Sequence, residues 1–404
     1  IGGGASKLVA SSEGANRIQF VRGSERLYVH GGGGTYSIRL DGLDRKQVVQ
    51  VNGVSMGWGD QPNTADDICL SPDGAQALIA VEGKLYVVNL PKTGLPLAFG
   101  VGGKDVVVKK ITAEGNDSAQ WSPDGKAVAW TQGYRLFRQD LAADKPAVDD
   151  LVVEAARKKA TGKLLLRGAR LITMKGDLVI PSGDVLIVDG KIAGCGPSGS
   201  VATPDGTKVM DMRGKTISPG YVDVHSHWFG NGPLGYPQSW GYLADLAFGV
   251  TTNRDPQSGG TEIYDFADAV DAGTAIGPRV FTTGPGVFAS SGLEDKDAVF
   301  SYLKRYRDAY QTWFIKQYVA GDRMTRQYIA MACKEFGLTP TTEGALESKM
   351  GFTEMVDGYS GHEHALPMFP MYGDWAQFLA KLNVFYTPTL LVTYGAPFGE
   401  DYFF

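Results

Sequence analysis

The chain has 404 residues, with 39 Lys and Arg against 44 Asp and Glu and a formal net charge of −5. That length exceeds what one hydrophobic core usually serves, so two or three domains are expected, and the mild acidity offers no basic face for nucleic acid or an anionic membrane. No apolar run reaches the roughly 18 residues of a membrane-spanning helix, and Cys69, Cys195 and Cys333 are too scattered for a disulfide framework or a CxxC metal site. Each is expected as a small buried apolar residue.

The sequence starts at Ile1 with neither a methionine nor a signal peptide, in what reads as the middle of a domain. Over residues 1–141, short alternating strands at 17–21, 26–30, 35–40, 76–81 and 84–89 are broken by Gly, Asp and Asn. Leu70-Ser-Pro-Asp-Gly74 and Trp121-Ser-Pro-Asp-Gly125 each lead into a hairpin, and a Pro-Asp-Gly turn repeated between strands at this spacing is the pattern of a β-propeller blade. Two or three blades fit here, whereas a closed propeller has at least four, so the propeller is expected to be partial. His30 has no second ligand near it in sequence and is read as structural. Residues 142–162 are polar and charged, a linker with one helical turn.

Strands at 163–173, 183–193 and 208–212 form a small β domain over residues 163–218. The apolar run from Ile217 then stops at His225-Ser-His227. On an extended strand the period of two puts both imidazoles on one side and Ser226 on the other, so the two rings can hold one metal ion together. Two histidines on a half-buried strand with no ligand are the alternative. After Gly230, helices at 240–248, 262–271, 295–310, 322–336 and 372–382 alternate with strands at 249–255, 278–283, 313–318, 338–343, near 355–358 and at 384–392. Repeated βα units imply a parallel sheet, and seven of them heading for eight imply an incomplete (β/α)8 barrel over 219–404 without its eighth strand. Lys316 stands at the tip of the fourth strand, where burial favours a neutral amine; a lysine paired with a nearby carboxylate is the alternative.

The string Pro219-Gly-Tyr-Val-Asp-Val-His-Ser-His227 resembles the first metal motif of the amidohydrolase superfamily, and the order of small β domain before barrel is similar as well. The Ser-Pro-Asp-Gly hairpins are similar to the propeller of TolB and its relatives. The resemblance implies a multidomain fold: a partial TolB-like β-propeller, a linker, a small β-sandwich and an incomplete TIM-like barrel. It implies a metal-dependent hydrolase that uses a metal-activated water on an amide or peptide-like C–N bond of a dipeptide or cyclic amide. By the same resemblance His225, His227 and His364 are metal ligands and Lys316 is a carboxylated lysine bridging two Zn²⁺ ions, with other divalent metals able to serve.

Glu343 stands where most of the superfamily has histidine, and three roles are open to it: ligand, replacement bridge, or hydrogen-bond acceptor for a ligand. His362 is read as a bystander or substrate contact that shares the face of His364 if the segment is extended. The family's general base, an aspartate ending strand eight, is expected beyond residue 404, Asp401 being a loop residue without that role, so the chain as given is expected to be inactive. Trp228, Tyr236, Trp240 and the 284–288 loop are candidates to line a pocket. The implied partner is a small amide or peptide-like substrate, with a homo-oligomer compatible, and the TolB-like propeller points to the periplasm or the cell exterior. A different class of function is a non-catalytic module whose propeller binds a peptide or protein beside a degenerate barrel, motivated by Glu343 and the missing strand.

Overall fold

The computed structural model describes residues 8–10, 14–32, 34–53, 62–100, 106–112, 114–228, 239–344, 347–368 and 370–394. The fold is a multidomain mixture of α and β structure with several sheets. It divides into two compact units: Ile1–Val152 with Pro256–Thr261 and Thr282–Phe404, and Val153–Asp255 with Glu262–Phe281.

The first unit opens with three antiparallel meanders. Strands Ala15–Phe20, Arg26–Gly31, Gly34–Arg39 and Lys46–Asn52 form one, extended by Leu97–Gly100 in parallel; Asp67–Leu70, Gln76–Val81, Lys84–Asn89 and Val108–Thr112 form the second; Ser118–Trp121, Ala127–Gln132, Arg135–Asp140 and Ala147–Asp150 form the third. The repeated Ser-Pro-Asp-Gly turns fold identically. Ser71 Oγ donates to Asp73 Oδ1 (2.6 Å) and accepts from Gln76 N (2.9 Å), while Ser122 Oγ donates to Asp124 Oδ1 (2.5 Å) and accepts from Ala127 N (2.9 Å). Side chains of alternate strand positions then fill the space between meanders. Val49, Val51, Ile68, Ile79 and Val81 join the first to the second, and Leu78, Val87, Val128 and Trp130 join the second to the third. Arg17 spans all three, paired with Asp67 and donating to the Ala119 carbonyl at 3.1 Å. The last strand of the third meander, Ala147–Asp150, lies in the stretch read as a linker, and residues 151–161 have no regular structure. His30 is fully buried, bonded to Thr35 Oγ1 (3.0 Å) and the Ala65 carbonyl (3.3 Å), the structural role expected of it.

The same unit carries a parallel sheet whose strands follow chain order: Val287–Phe288, Phe314–Tyr318, Thr339–Thr342, Gly361–Glu363 and Phe385–Thr387. Helices Lys296–Asp308, Arg323–Phe336, Ser348–Val356 and Gly373–Leu382 connect them, and Asp295 and Asp322 cap the first two by accepting from Ala298 N and Thr325 N. Helix Lys296–Asp308 and the residues after it pack against the meanders. Arg305, 6% exposed, lies 3.9 Å over the Tyr302 ring, and Tyr310 donates to Asp117 Oδ1 (2.5 Å), which stands at the mouth of the third meander.

The second unit holds one five-stranded sheet, ordered Lys191–Pro197, Val179–Val188, Lys163–Ile172 and Lys208–Asp211, with Thr216–Ile217 also pairing Lys163–Ile172. Its core is Ala169, Leu171 and Val185. A sheet ordered Tyr221–Asp223, Val250–Asp255 and Arg279–Thr282 follows, its first two strands parallel, with helices Trp240–Ala247 and Glu262–Ala272. Tyr242 from the first helix is fully buried against Phe266 of the second.

Four expectations are corrected. The His-x-His strand is three residues long and exposed, with Tyr221 at 66% and Val222 at 59%, because it is an edge strand paired only with Val250–Asp255 among the described residues. Residues 355–358 are the end and exit of helix Ser348–Val356, and the sixth strand is Gly361–Glu363. The seventh strand stops at Thr387, since Pro388 and a left-handed Thr389 (φ 45°) turn the chain into helix Leu390–Tyr394. Cys333 is buried as expected, but Cys195 lies exposed on the outer strand Lys191–Pro197.

Candidate functional site

In the first unit, three neighbouring parallel strands end in chemistry. Lys316 belongs to Phe314–Tyr318, Glu343 follows Thr339–Thr342, and His364 follows Gly361–Glu363. Lys316 is fully buried with its Nζ 2.8 Å from Glu343 Oε2, and His364 Nε2 lies 3.3 Å from the same oxygen. Burial works against the Glu343 carboxylate, but the His364 contact and the Lys316 amine outweigh it and hold its pKa down at about 2. His364 Nδ1 meets Thr389 Oγ1 at 2.9 Å, which fixes the ring and leaves Nε2 directed at Glu343. Three exits from these strands are left-handed at non-glycine residues: Val319 (φ 43°), His364 (φ 68°) and Thr389 (φ 45°). Such conformations cost about 1–3 kcal/mol each, persist where the surroundings over-determine them, and cluster at functional sites.

The strand register separates two faces. Lys316 pairs with Thr341 and Gln317 with Thr342, while Thr342 pairs with His362. Gln317, Thr342 and His362 therefore point away from Lys316, toward the helices. There Thr342 donates to Glu354 Oε2 (2.6 Å), Gln317 donates to Glu354 Oε1 (2.8 Å), and Arg326 Nε stands 3.2 Å from the same carboxylate. Glu354 is 1% exposed, and burial raises its pKa against the opposing pull of Thr342, Arg326 and Gln317. His362, also 1% exposed, is kept neutral by burial, which lowers its pKa to about 4. Its ring occupies room left by Gly344 and Gly351: a Cβ on either would come within 2.9 Å of Nε2. The left-handed φ of His364 breaks the extended geometry, so the condition for His362 to share its face is not met.

In the second unit, the chain leaves Tyr221–Asp223 in a bend at Val224–His225. His225 is half-buried, its backbone N–H held by Asp223 Oδ1 at 3.0 Å. The rings of His225 and His227 lie edge to face with centroids 5.0 Å apart. His227 Nδ1 stands 3.5 Å from Asp255 Oδ1, an aspartate with no exposed surface at the end of Val250–Asp255. Trp228 packs on Tyr242. Trp240 is 83% exposed, and in the 284–288 loop Phe288 stacks on Tyr318 at 4.7 Å, beside the Lys316 amine 4.5 Å from the Tyr318 ring. Tyr236 and Asp401 lie outside the described residues.

Imidazole nitrogens and carboxylate oxygens are the donors Zn²⁺ and similar divalent cations take, and each unit offers such a group: His225 with His227 in one, Glu343 with His364 in the other. Sequence reasoning missed Asp255 and the Glu354–Arg326–Gln317 cluster. Asp255 had a signal, a third polar residue in succession, Asn253-Arg-Asp255, where a buried strand is ending. Glu354 had none, because a helix carrying one acid among Met, Phe, Thr and Val reads as ordinary.

No family profile matches the chain. Adenine deaminase of Paracoccus denitrificans is 34% identical over 76 residues, covering 19% of this chain and 13% of that protein. Imidazolonepropionase of Symbiobacterium thermophilum is 38% identical over 84 residues, 20% of this chain and 19% of its own length. The chain thus spans well under two thirds of these curated relatives. A solved Xaa-Pro dipeptidase with bound methionine is 17% identical, with a TM-score of 0.46 over 60% of this chain and 71% of that one. The curated relatives support the amidohydrolase superfamily.

Proposed function

We propose that this protein is a metal-dependent hydrolase that uses water to split an amide or other carbon–nitrogen bond. In this reading His225, His227, Glu343 and His364 are metal ligands, two zinc ions being the number the family pattern implies. The observation that carries it is the group at three adjacent strand ends, buried Lys316 with half-buried Glu343 and His364, gathered on one carboxylate oxygen. A buried lysine and an ionised glutamate are costly in a sheet interior, and their placement at strand ends beside left-handed exits is what a functional site requires. These side chains would hold a divalent cation, whose chemistry would be to lower the pKa of a water ligand toward neutrality and to polarise the scissile carbonyl.

The chain's own residues have separable tasks. Glu343 stays ionised as a donor, Thr389 orients the His364 ring, and the network behind Gln317 and Thr342 keeps their strands in register. The carboxylate that the family pattern places between two cations would come from Glu343 or from a carbamate on Lys316, and the 2.8 Å Lys316–Glu343 ion pair supports Glu343. A carbamate carbon signal after exposure to labelled bicarbonate would decide for Lys316. Phe288 and Tyr318 beside that amine offer an apolar surface to one side group of a dipeptide or cyclic amide. The same proposal assigns the three meanders to a partial TolB-like propeller, the five-stranded sheet to a layer of the small sandwich, and residues 219–404 to an incomplete TIM-like barrel. The test is a hydrolysis screen of dipeptides and cyclic amides with the zinc-loaded protein. Turnover that a chelator removes and zinc restores is expected, and a zinc-saturated protein inert on the whole panel would refute the reading.

A further inference from the structure

We infer that Asp255 is a positioning residue that holds His227 in the tautomer able to take a metal through Nε2, as part of a clamp formed by the strand Val250–Asp255; this rests on the metal-centre reading above. Three consecutive residues of that strand each hold the segment carrying the two histidines. Asn253 Nδ2 donates to Ser226 Oγ at 3.2 Å and to Asp245 Oδ2 of helix Trp240–Ala247 at 2.7 Å. Arg254 donates through Nη1 to the Val224 carbonyl at 3.2 Å, and its own carbonyl accepts from Ser226 N at 3.1 Å. Asp255 Oδ1 faces His227 Nδ1 at 3.5 Å.

The geometry sorts the side chains. Asn253 and Asp255, two apart on their strand, share one face of it, and both Ser226, tied to Asn253 and through it to the helix layer, and His227, against Asp255, are held to that face. Asn253 and Asp255 are both fully buried, and a buried carboxylate needs a donor to compensate its lost hydration. His227 Nδ1, 3.5 Å from Asp255 Oδ1, stands where it can be such a donor. A proton kept on Nδ1 puts the lone pair on Nε2, raises the basicity of that nitrogen and stops the ring from turning, which is how a carboxylate behind an imidazole strengthens a metal ligand.

The experiment uses the full chain and two readouts. Nitrogen-15 NMR of the metal-free protein reports which nitrogen of His227 carries the proton, and competition with a chelator reports zinc affinity. In the unaltered chain the proton is expected on Nδ1. Asp255→Ala is expected to lose that preference and weaken zinc binding by about 10- to 100-fold, while Asp255→Asn, which keeps an oxygen acceptor, recovers part of the loss. A His227 proton found on Nε2 in the unaltered chain, or an Asp255→Ala variant that binds zinc as tightly as the parent, overturns the inference. If the unaltered chain binds no zinc, the metal-centre reading fails instead, and the tautomer measurement still decides the role of Asp255. Should Asp255→Ala fail to fold, the proton position in the unaltered chain decides alone.

Discussion

Replacing Glu354 tests whether the acid behind the site strands is a structural keystone of the first unit. Its carboxylate accepts from Thr342 and Gln317 and faces Arg326, itself 8% exposed. Glu354→Ala leaves that guanidinium buried without its counter-charge and two donors without an acceptor, a loss of about 3–5 kcal/mol. Glu354→Gln keeps one oxygen acceptor but replaces the other by an amide donor facing Thr342, Gln317 or Arg326, at a cost of about 1–3 kcal/mol. The pH dependence has a definite sign. Burial raises the folded pKa above the 4.5 of an ordinary glutamate, so the folded state holds this proton more tightly than the unfolded one. The stability this contributes is fully present below the unfolded pKa and is lost as pH rises through the raised folded value. The parent's advantage over Glu354→Gln should accordingly be widest below about pH 4.5 and narrow above it. Urea unfolding followed by circular dichroism, compared by transition midpoint because a multidomain chain need not unfold in one step, measures both effects. An alanine variant within about 0.5 kcal/mol of the parent, or an advantage over glutamine that grows with pH, would refute the reasoning.

Other perturbations follow from equally local contacts. Asp117→Ala removes the acceptor of the Tyr310 hydroxyl and of Gly133 N (2.6 Å), and should destabilise the packing of the meanders on helix Lys296–Asp308 by about 2–3 kcal/mol, read as faster limited proteolysis near residue 117. Ser71→Ala and Ser122→Ala each delete the same pair of turn bonds; the Ser71 change should cost more, because Ser71 is 2% exposed and Ser122 only half-buried, and equal melting shifts would contradict this. Gly351→Ala drives a Cβ to 2.8 Å from His362 Nε2 and should destabilise by about 1–3 kcal/mol; no change in the urea midpoint would mean that His362 does not lie beneath this helix.

The elements with strong periodicity were legible from sequence. Helices expected at 295–310 and 322–336 are Lys296–Asp308 and Arg323–Phe336, their starts marked by Asp295 and Asp322. The failures share a cause. Gly361–Glu363 is a glycine, a histidine and a glutamate, with no apolar alternation to announce a strand, so the pattern favours the apolar residues just before it, which belong to a helix. Leu390–Val392 is an apolar run that serves strand or helix equally, and Pro388 decided the matter. The candidate donors were named because residue type carries the signal: a His-x-His pair or a lysine at a strand end stands out. What holds them in place was not, since Asp255, Thr389 and Glu354 act through contacts 25 or more residues distant or across faces that only the strand register defines.

The central claim is that His225, His227, Glu343 and His364 are metal donors. Zinc retained per chain after saturation and gel filtration, measured by elemental analysis for the parent, His225→Ala and His364→Ala, tests it most directly. At least about one ion in the parent, with a loss in each variant, is the expected result; less than one ion in the parent, or a His364→Ala protein that keeps its full complement, would contradict it.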